Sequence, residues 1–189
     1  MTKNALVFLA EGFEEVEALT PVDYLRRAGI EVTTASITAS RTVKGARGVP
    51  VVTDALLEDL SKQGRLSPEA WDAVFIPGGM PGASNLAACP AVGKIFKEMA
   101  EAGKIFAAIC ASPAVVLAPL GLLEGKNFTC FPGLEDTVKG GKHSLEKVVV
   151  DGNLITSRAP GTAAAFALAL IEKLAGPVTA KKIVEDTLL

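Results

Sequence analysis

Uninterrupted apolar runs alternate along this chain with segments of helical spacing, a pattern that predicts strands buried on both faces between covering helices. Asn4 to Ala10 reads as such a strand. Phe13 to Ala28 follows as a helix, with acidic residues in its first turn, Arg26 and Arg27 in its last, and Gly29 closing it. Ile30 to Ile37 has the β-branched character of a strand, Thr38 to Gly48 is polar and turn-rich, Val49 to Thr53 resumes an extended pattern, and Asp54 to Leu60 predicts a short helix. Ala73 to Ile76 is an apolar strand that runs into Pro77-Gly78-Gly79-Met80-Pro81-Gly82. Pro90 to Gly103 then shows helical spacing, and Lys104 to Ile109 is a further buried strand. Ala111 to Leu120 predicts an Ala-rich helix with Pro113 in its first turn and Gly121 at its end. Phe128 to Phe131 fits a short strand, while Lys147 to Val150 and Leu154 to Ser157 flank Asp151-Gly152-Asn153, a hairpin signal. Gly161 to Leu174 and Pro177 to Leu189 predict two closing helices.

Strands alternating with helices imply an α/β fold: a mainly parallel sheet with helices on both faces and ligands at the carboxyl ends of its strands. No Pro-rich or Ser-rich linker divides the 189 residues, so residues 1–189 read as a single domain. The net charge of −2 carries no nucleic-acid footprint. The opening apolar run is ended by Glu11, too soon for a signal peptide or a membrane span, which places the chain in the cytoplasm with no membrane partner. Cys89, Cys110 and Cys130 form no CxxC pair and His143 is the sole histidine, so neither a metal site nor a disulfide framework is expected.

Chemistry concentrates at strand ends. A lone cysteine is more often an inert core residue. Cys110, however, sits between Ala107-Ala-Ile109 and Ala111-Ser-Pro113, the cramped strand-turn-helix setting of a nucleophile elbow, where helix N–H groups favour thiolate. Pro77-Gly78-Gly79 follows another strand; as an ordinary tight turn it means little, but beside a thiol its amides form a plausible oxyanion pocket. Glu11, Glu14, Glu15 and Glu17 crowd the first strand-to-helix junction. Most of them read as solvated charges near a helix N-terminus, whereas one lying beside the thiol would have to be protonated or share its proton. Periodicity does not choose among them.

Ala5-Leu-Val-Phe-Leu-Ala10, Glu14-Glu-Val-Glu17, Pro21-Val-Asp23, Arg26-Arg-Ala-Gly-Ile30, Ile76-Pro-Gly-Gly79, Ala107-Ala-Ile-Cys-Ala111 and Thr156-Ser-Arg-Ala-Pro-Gly-Thr162 resemble, in order and over nearly the whole chain, the ThiJ/PfpI superfamily. The resemblance is closest to its Parkinson-associated DJ-one branch and the bacterial relatives of that branch. It implies a flavodoxin-like three-layer sandwich of the class I glutamine amidotransferase type, usually a homodimer. It assigns Cys110 as the reactive nucleophile, Glu17 as its protonated carboxyl partner, and Gly78, Gly79 and Ala111 as the backbone pocket. Arg47 and Arg158 fall where the family has arginines near the dimer interface and the site entrance.

The departures bear on activity. Protease-like members carry a histidine directly after the cysteine, and here that residue is Ala111, which argues against a Cys-His peptidase. Where the DJ-one branch has a histidine near its cysteine, this chain has Thr129-Cys130-Phe131-Pro132. His143, in a Gly-Lys-rich stretch, reads as a surface residue, and Cys130 as core. The resemblance then implies a cofactor-independent glyoxalase-like or deglycase-like enzyme acting on small 2-oxoaldehydes such as methylglyoxal, or on their adducts with protein groups. The alternative is a redox sensor or holdase chaperone responding to Cys110 oxidation. A link to thiazole monophosphate biosynthesis finds no phosphate-binding loop in support.

Overall fold

The structure, a computed structural model, describes residues 2–189. Strand β1 (Asn4–Leu9) enters helix α1 (Glu15–Arg27), and β2 (Glu31–Ser36) returns parallel to β1. The polar stretch that follows is an antiparallel ribbon, β3 (Thr42–Lys44) with β4 (Pro50–Val52). Its first strand is three residues long and mostly polar, so hydrophobic pattern gave no sign of it. The helix expected from Asp54 begins as β5 (Ala55–Leu56), which pairs with β2 before α2 (Leu57–Lys62).

Next come β6 (Ala73–Ile76), α3 (Gly82–Ala87), α4 (Pro90–Glu101) and β7 (Ile105–Ile109). The helix expected over Ala111 to Leu120 is instead a π-helical turn, Pro113–Leu117, whose Ala118 N–H reaches back five residues to the Pro113 carbonyl at 2.9 Å. A segment apolar on every side carries no stripe to distinguish the two helical periods. Strands β8 (Asn127–Phe128) and β9 (Lys142–His143) form a small parallel pair, shorter than the strand read over Phe128 to Phe131. The hairpin of β10 (Val148–Asp151) and β11 (Leu154–Ser157) turns at Gly152, φ 63°, and α5 (Ala163–Ala175) and α6 (Pro177–Thr187) close the chain.

The main sheet runs β10-β11-β7-β6-β1-β2-β5, parallel throughout except for β10. Counting only its long parallel strands gives the flavodoxin-like order 2-1-3-4-5, in which ligands gather where the order reverses, between β1 and β6. Alternate residues explain the apolar runs. Val7, Leu9, Phe75, Ala107 and Ile109 face a core shared with α1, α5 and α6, where Phe75 meets Phe166 edge-on at 6.2 Å. Phe8, Val74, Ile76, Phe106 and Ala108 face the opposite core, with Trp71, Leu86, Ile95 and Phe96. Each large apolar side chain buried this way contributes roughly 1.5–3 kcal/mol. Among the described residues no helix is long and apolar enough to cross a membrane.

Candidate active site

Three strand ends build the site. Beyond β7, Cys110 adopts φ 65°, one of two non-glycine residues with positive φ among the described residues. That backbone costs of order 1–3 kcal/mol and survives only where neighbours hold it. They do so from both sides: the Cys110 N–H donates to the Ser157 carbonyl at 2.9 Å, and the Cys110 carbonyl accepts from the Phe131 N–H at 2.7 Å. The Ser112 hydroxyl, buried, donates to the Pro77 carbonyl at 2.5 Å and so ties the turn after β7 to the turn after β6.

Beyond β1, α1 starts at a capping carboxylate. Glu14 accepts from the Glu17 N–H at 2.8 Å, which seats Glu17 in the first turn, 0% exposed. The Gly78 N–H, beyond β6, donates to Glu17 Oε2 at 2.9 Å, while Oε1 is buried without a hydrogen-bond partner. A Cβ at Gly78 would lie 2.6 Å from the Cys110 Cβ, 2.9 Å from Glu17 Oε2 and 3.0 Å from the Ala111 nitrogen. Only a bare backbone lets thiol, carboxyl and amide converge here. Gly78→Ala is therefore expected to destabilise the fold by about 1–3 kcal/mol, read by urea denaturation.

Charge in this pocket is shared. Desolvation pushes the Glu17 carboxyl up to about 7, with Glu14 adding to the rise and Cys110 and the Gly78 N–H opposing it. Desolvation, then the charge and hydrogen bonding of Glu17, push the Cys110 thiol up to about 12, against the pull of the Gly79 and Ala111 N–H groups. The two values describe one pair losing two protons in succession. The first leaves near neutrality, and the resulting negative charge opposes the second. This corrects the expectation that the junction alone favours thiolate: burial and Glu17 outweigh the backbone amides.

The structure brings Cys110, Glu17, Gly78, Gly79 and Ala111 together, with one division of labour that differs from expectation. The Gly78 amide is committed to Glu17, so Gly79 and Ala111 are the amides that face the sulfur. Arg47 lines the cavity, but Arg158 does not; its guanidinium donates to the Leu145 carbonyl at 3.0 Å. Glu14 and Glu15 are also not the solvated charges expected, since each is 7% exposed. Glu15 Oε1 accepts from the Arg47 N–H at 2.8 Å and the Val49 N–H at 3.3 Å, fixing the β3–β4 turn against the cavity. His143 corrects the surface reading: it is half-buried on β9, its ring 5.5 Å from that of Phe128. The capping role of Glu14 carried no clear signal in the sequence, because glutamate is not among the favoured N-cap residues. Cavity volume is about 560 Å³, and Cys110 and Glu17 form part of its wall.

A flavodoxin-like sheet with a cysteine on a strained elbow after β7 and a buried carboxyl from beyond β1, two strands away across β6, defines the class of protein. The DJ-1/PfpI family pattern matches residues 3–173, and the chain belongs to that family. It is 43% identical over 184 residues to the Danio rerio Parkinson disease protein 7 homolog, covering 96% of this chain and 94% of that one. It is 38% identical over 178 residues to the Caenorhabditis elegans glutathione-independent glyoxalase DJR-1.2, covering 93% and 90%. Against the Arabidopsis thaliana Protein DJ-1 homolog A it is 41% identical over its whole length, yet spans only 46% of that protein. The solved structure of oxidized Toxoplasma gondii DJ-1 superposes with a TM-score of 0.92 at 39% identity, covering 99% of this chain and 98% of that one.

Proposed function

We propose that this protein converts small 2-oxoaldehydes, methylglyoxal first among them, into 2-hydroxy acids, and acts on their adducts with protein groups. The observation that carries the reading is the Glu17–Cys110 pair in the cavity wall, with the carboxyl held near neutrality. A related protein named a glutathione-independent glyoxalase supports it.

Cys110 passes its proton to Glu17 and its sulfur attacks the aldehyde carbon; a C–S bond forms, and the carbonyl electron pair becomes an oxyanion facing the Gly79 and Ala111 amides. Protonation gives a hemithioacetal. Glu17, returned to its carboxylate, takes the hydrogen of the former aldehyde carbon as a proton, and a proton is delivered to the neighbouring ketone carbon. The first carbon is oxidised to a thioester as the second is reduced to an alcohol. Water then cleaves the C–S bond, releasing lactate and the thiol. The net change adds one water to methylglyoxal and needs no external oxidant or reductant. The cavity lies within the roughly 300–1,000 Å³ of small-molecule sites. A three-carbon aldehyde fills only part of it, leaving room for a modified side chain.

The test is lactate formation by reduced protein and methylglyoxal with no glutathione added. Lactate well beyond one equivalent per chain is the expected result; aldehyde loss that stops at one equivalent without lactate is trapping and overturns the proposal. A second reading, redox sensing with holdase activity, draws on the unpartnered Glu17 Oε1, a buried polar atom of a residue that shares the cavity wall with Cys110. It requires client protection to rise with Cys110 sulfinate while lactate stays absent. A homodimer belongs to the proposal too, and sedimentation velocity checks it.

A further inference from the structure

Behind the loop that forms part of the cavity wall, three potential ligands converge from separate segments. Cys130 is 0% exposed and lies just past β8. Glu135 opens a short 3₁₀ turn and is braced by the Gly133 N–H, which donates to its Oε2 at 2.6 Å. His143 is set in register by β9, whose pairing places it opposite Phe128. One donor atom from each residue, a sulfur, a carboxylate oxygen and an imidazole nitrogen, lies within 4.8 Å of the others. The His143 Nε2 is buried and meets no hydrogen-bond partner. A buried imidazole nitrogen left unpaired costs free energy unless something occupies it.

We propose that Cys130, Glu135 and His143 bind one divalent transition-metal ion of the zinc class. Thiolate, imidazole and carboxylate together suit a borderline-soft ion, and three protein ligands leave the fourth tetrahedral position to water or an added ligand. Metal bonds of about 2.0–2.3 Å need the donors to close by up to about 1 Å, within the reach of the half-buried Glu135 side chain and its turn. The Cys130 thiol gives its proton to solvent as the metal–sulfur bond forms. The absence of a CxxC pair does not bear on this set, because the parallel pairing of β8 with β9 assembles it across the chain. The site also adjoins the chemistry. Phe131, next to Cys130, donates its N–H to the Cys110 carbonyl, and Phe131 to Leu134 line the cavity. Bound metal would thus fix the segment that holds the elbow, whichever reaction the elbow performs.

The experiment titrates Zn²⁺, and separately Co²⁺, into reduced Cys110→Ser protein, which removes the competing thiol in the cavity. One ion per chain is expected, and cobalt should show the visible bands of four-coordination with thiolate-to-cobalt charge transfer. Glu135→Gln and His143→Gln, both at half-buried positions that tolerate the change, should each weaken affinity by at least the roughly 10–100-fold that loss of a supporting partner costs. Cys130→Ala should abolish the charge-transfer band. Affinity unchanged in both Glu135→Gln and His143→Gln, a charge-transfer band that survives Cys130→Ala, or no binding once Cys110 is serine overturns the proposal. Because the readout is binding, a failure of aldehyde turnover leaves this result independent.

Discussion

Cys110→Ser yields a folded protein whose lactate formation from methylglyoxal falls by at least about 10³-fold, a barrier increase of about 4 kcal/mol. The substitution exchanges sulfur for oxygen on an unchanged frame. The Cys110 N–H still reaches the Ser157 carbonyl and its carbonyl still accepts from Phe131, so the elbow and its positive φ remain supported by backbone alone. Chemistry changes instead. A serine hydroxyl holds its proton far more tightly than a thiol, and Glu17, with a proton affinity near neutrality, is too weak a base to remove it. Thermal denaturation should put wild type and variant within about 1 kcal/mol, as for a change that leaves buried contacts in place. Cys89→Ser, outside the cavity wall and half-buried, keeps wild-type turnover. Turnover that survives in Cys110→Ser would remove the thiol from the reaction and the proposed function with it.

The parts of the fold legible in the sequence are those where one physical requirement dominates. β1, β6 and β7 announced themselves because a parallel strand buried on both faces must be apolar at every position, and Leu6 to Leu9, Ala73 to Ile76 and Ile105 to Ile109 are. The elbow was legible for a related reason, since the apolar run ends at Ile109 and Pro113, a residue suited to a first helical turn, follows Cys110 after only two residues. β3 was not, because Thr42 and Lys44 are exposed and its pairing with β4 depends on Glu15 holding the intervening turn. α3 is only six residues, Gly82 to Ala87, with Leu86 its one large apolar side chain, too short for a periodic pattern to stand out. Glu17 stood out by family resemblance, not by pattern. What desolvates it is tertiary: the turn carrying Gly78 lies 61 residues away in the chain. The convergence of Cys130, Glu135 and His143 has the same character, because two-residue strands in parallel register leave almost no trace in composition.

Glu17→Gln separates the proton-transfer role of this residue from its structural one, because the two move in opposite directions. Turnover should fall by about 10²–10⁴-fold, the usual range for removing a positioned acid–base group. A glutamine carbonyl still accepts from the Gly78 N–H, but the amide neither takes the thiol proton nor removes one from carbon. In wild type, kcat/KM should rise with pH through an apparent pKa of about 7 as the pair loses its first proton, and the residual rate of the variant should lack that limb. Stability should shift the other way. Folding raises the Glu17 pKa from 4.5 to about 7, so the favourable contribution of its neutral form is fully present below about pH 4.5 and is lost as pH climbs through 7. Ionising the buried carboxyl then costs wild type up to roughly 3 kcal/mol. Glutamine never ionises. The variant should therefore match wild type in thermal midpoint near pH 5 and exceed it above pH 8, most clearly where its lactate output is lowest. Equal midpoints at both pH values would mean that Glu17 is not held protonated by burial, and the shared-proton account of the pair would fail even if turnover were lost.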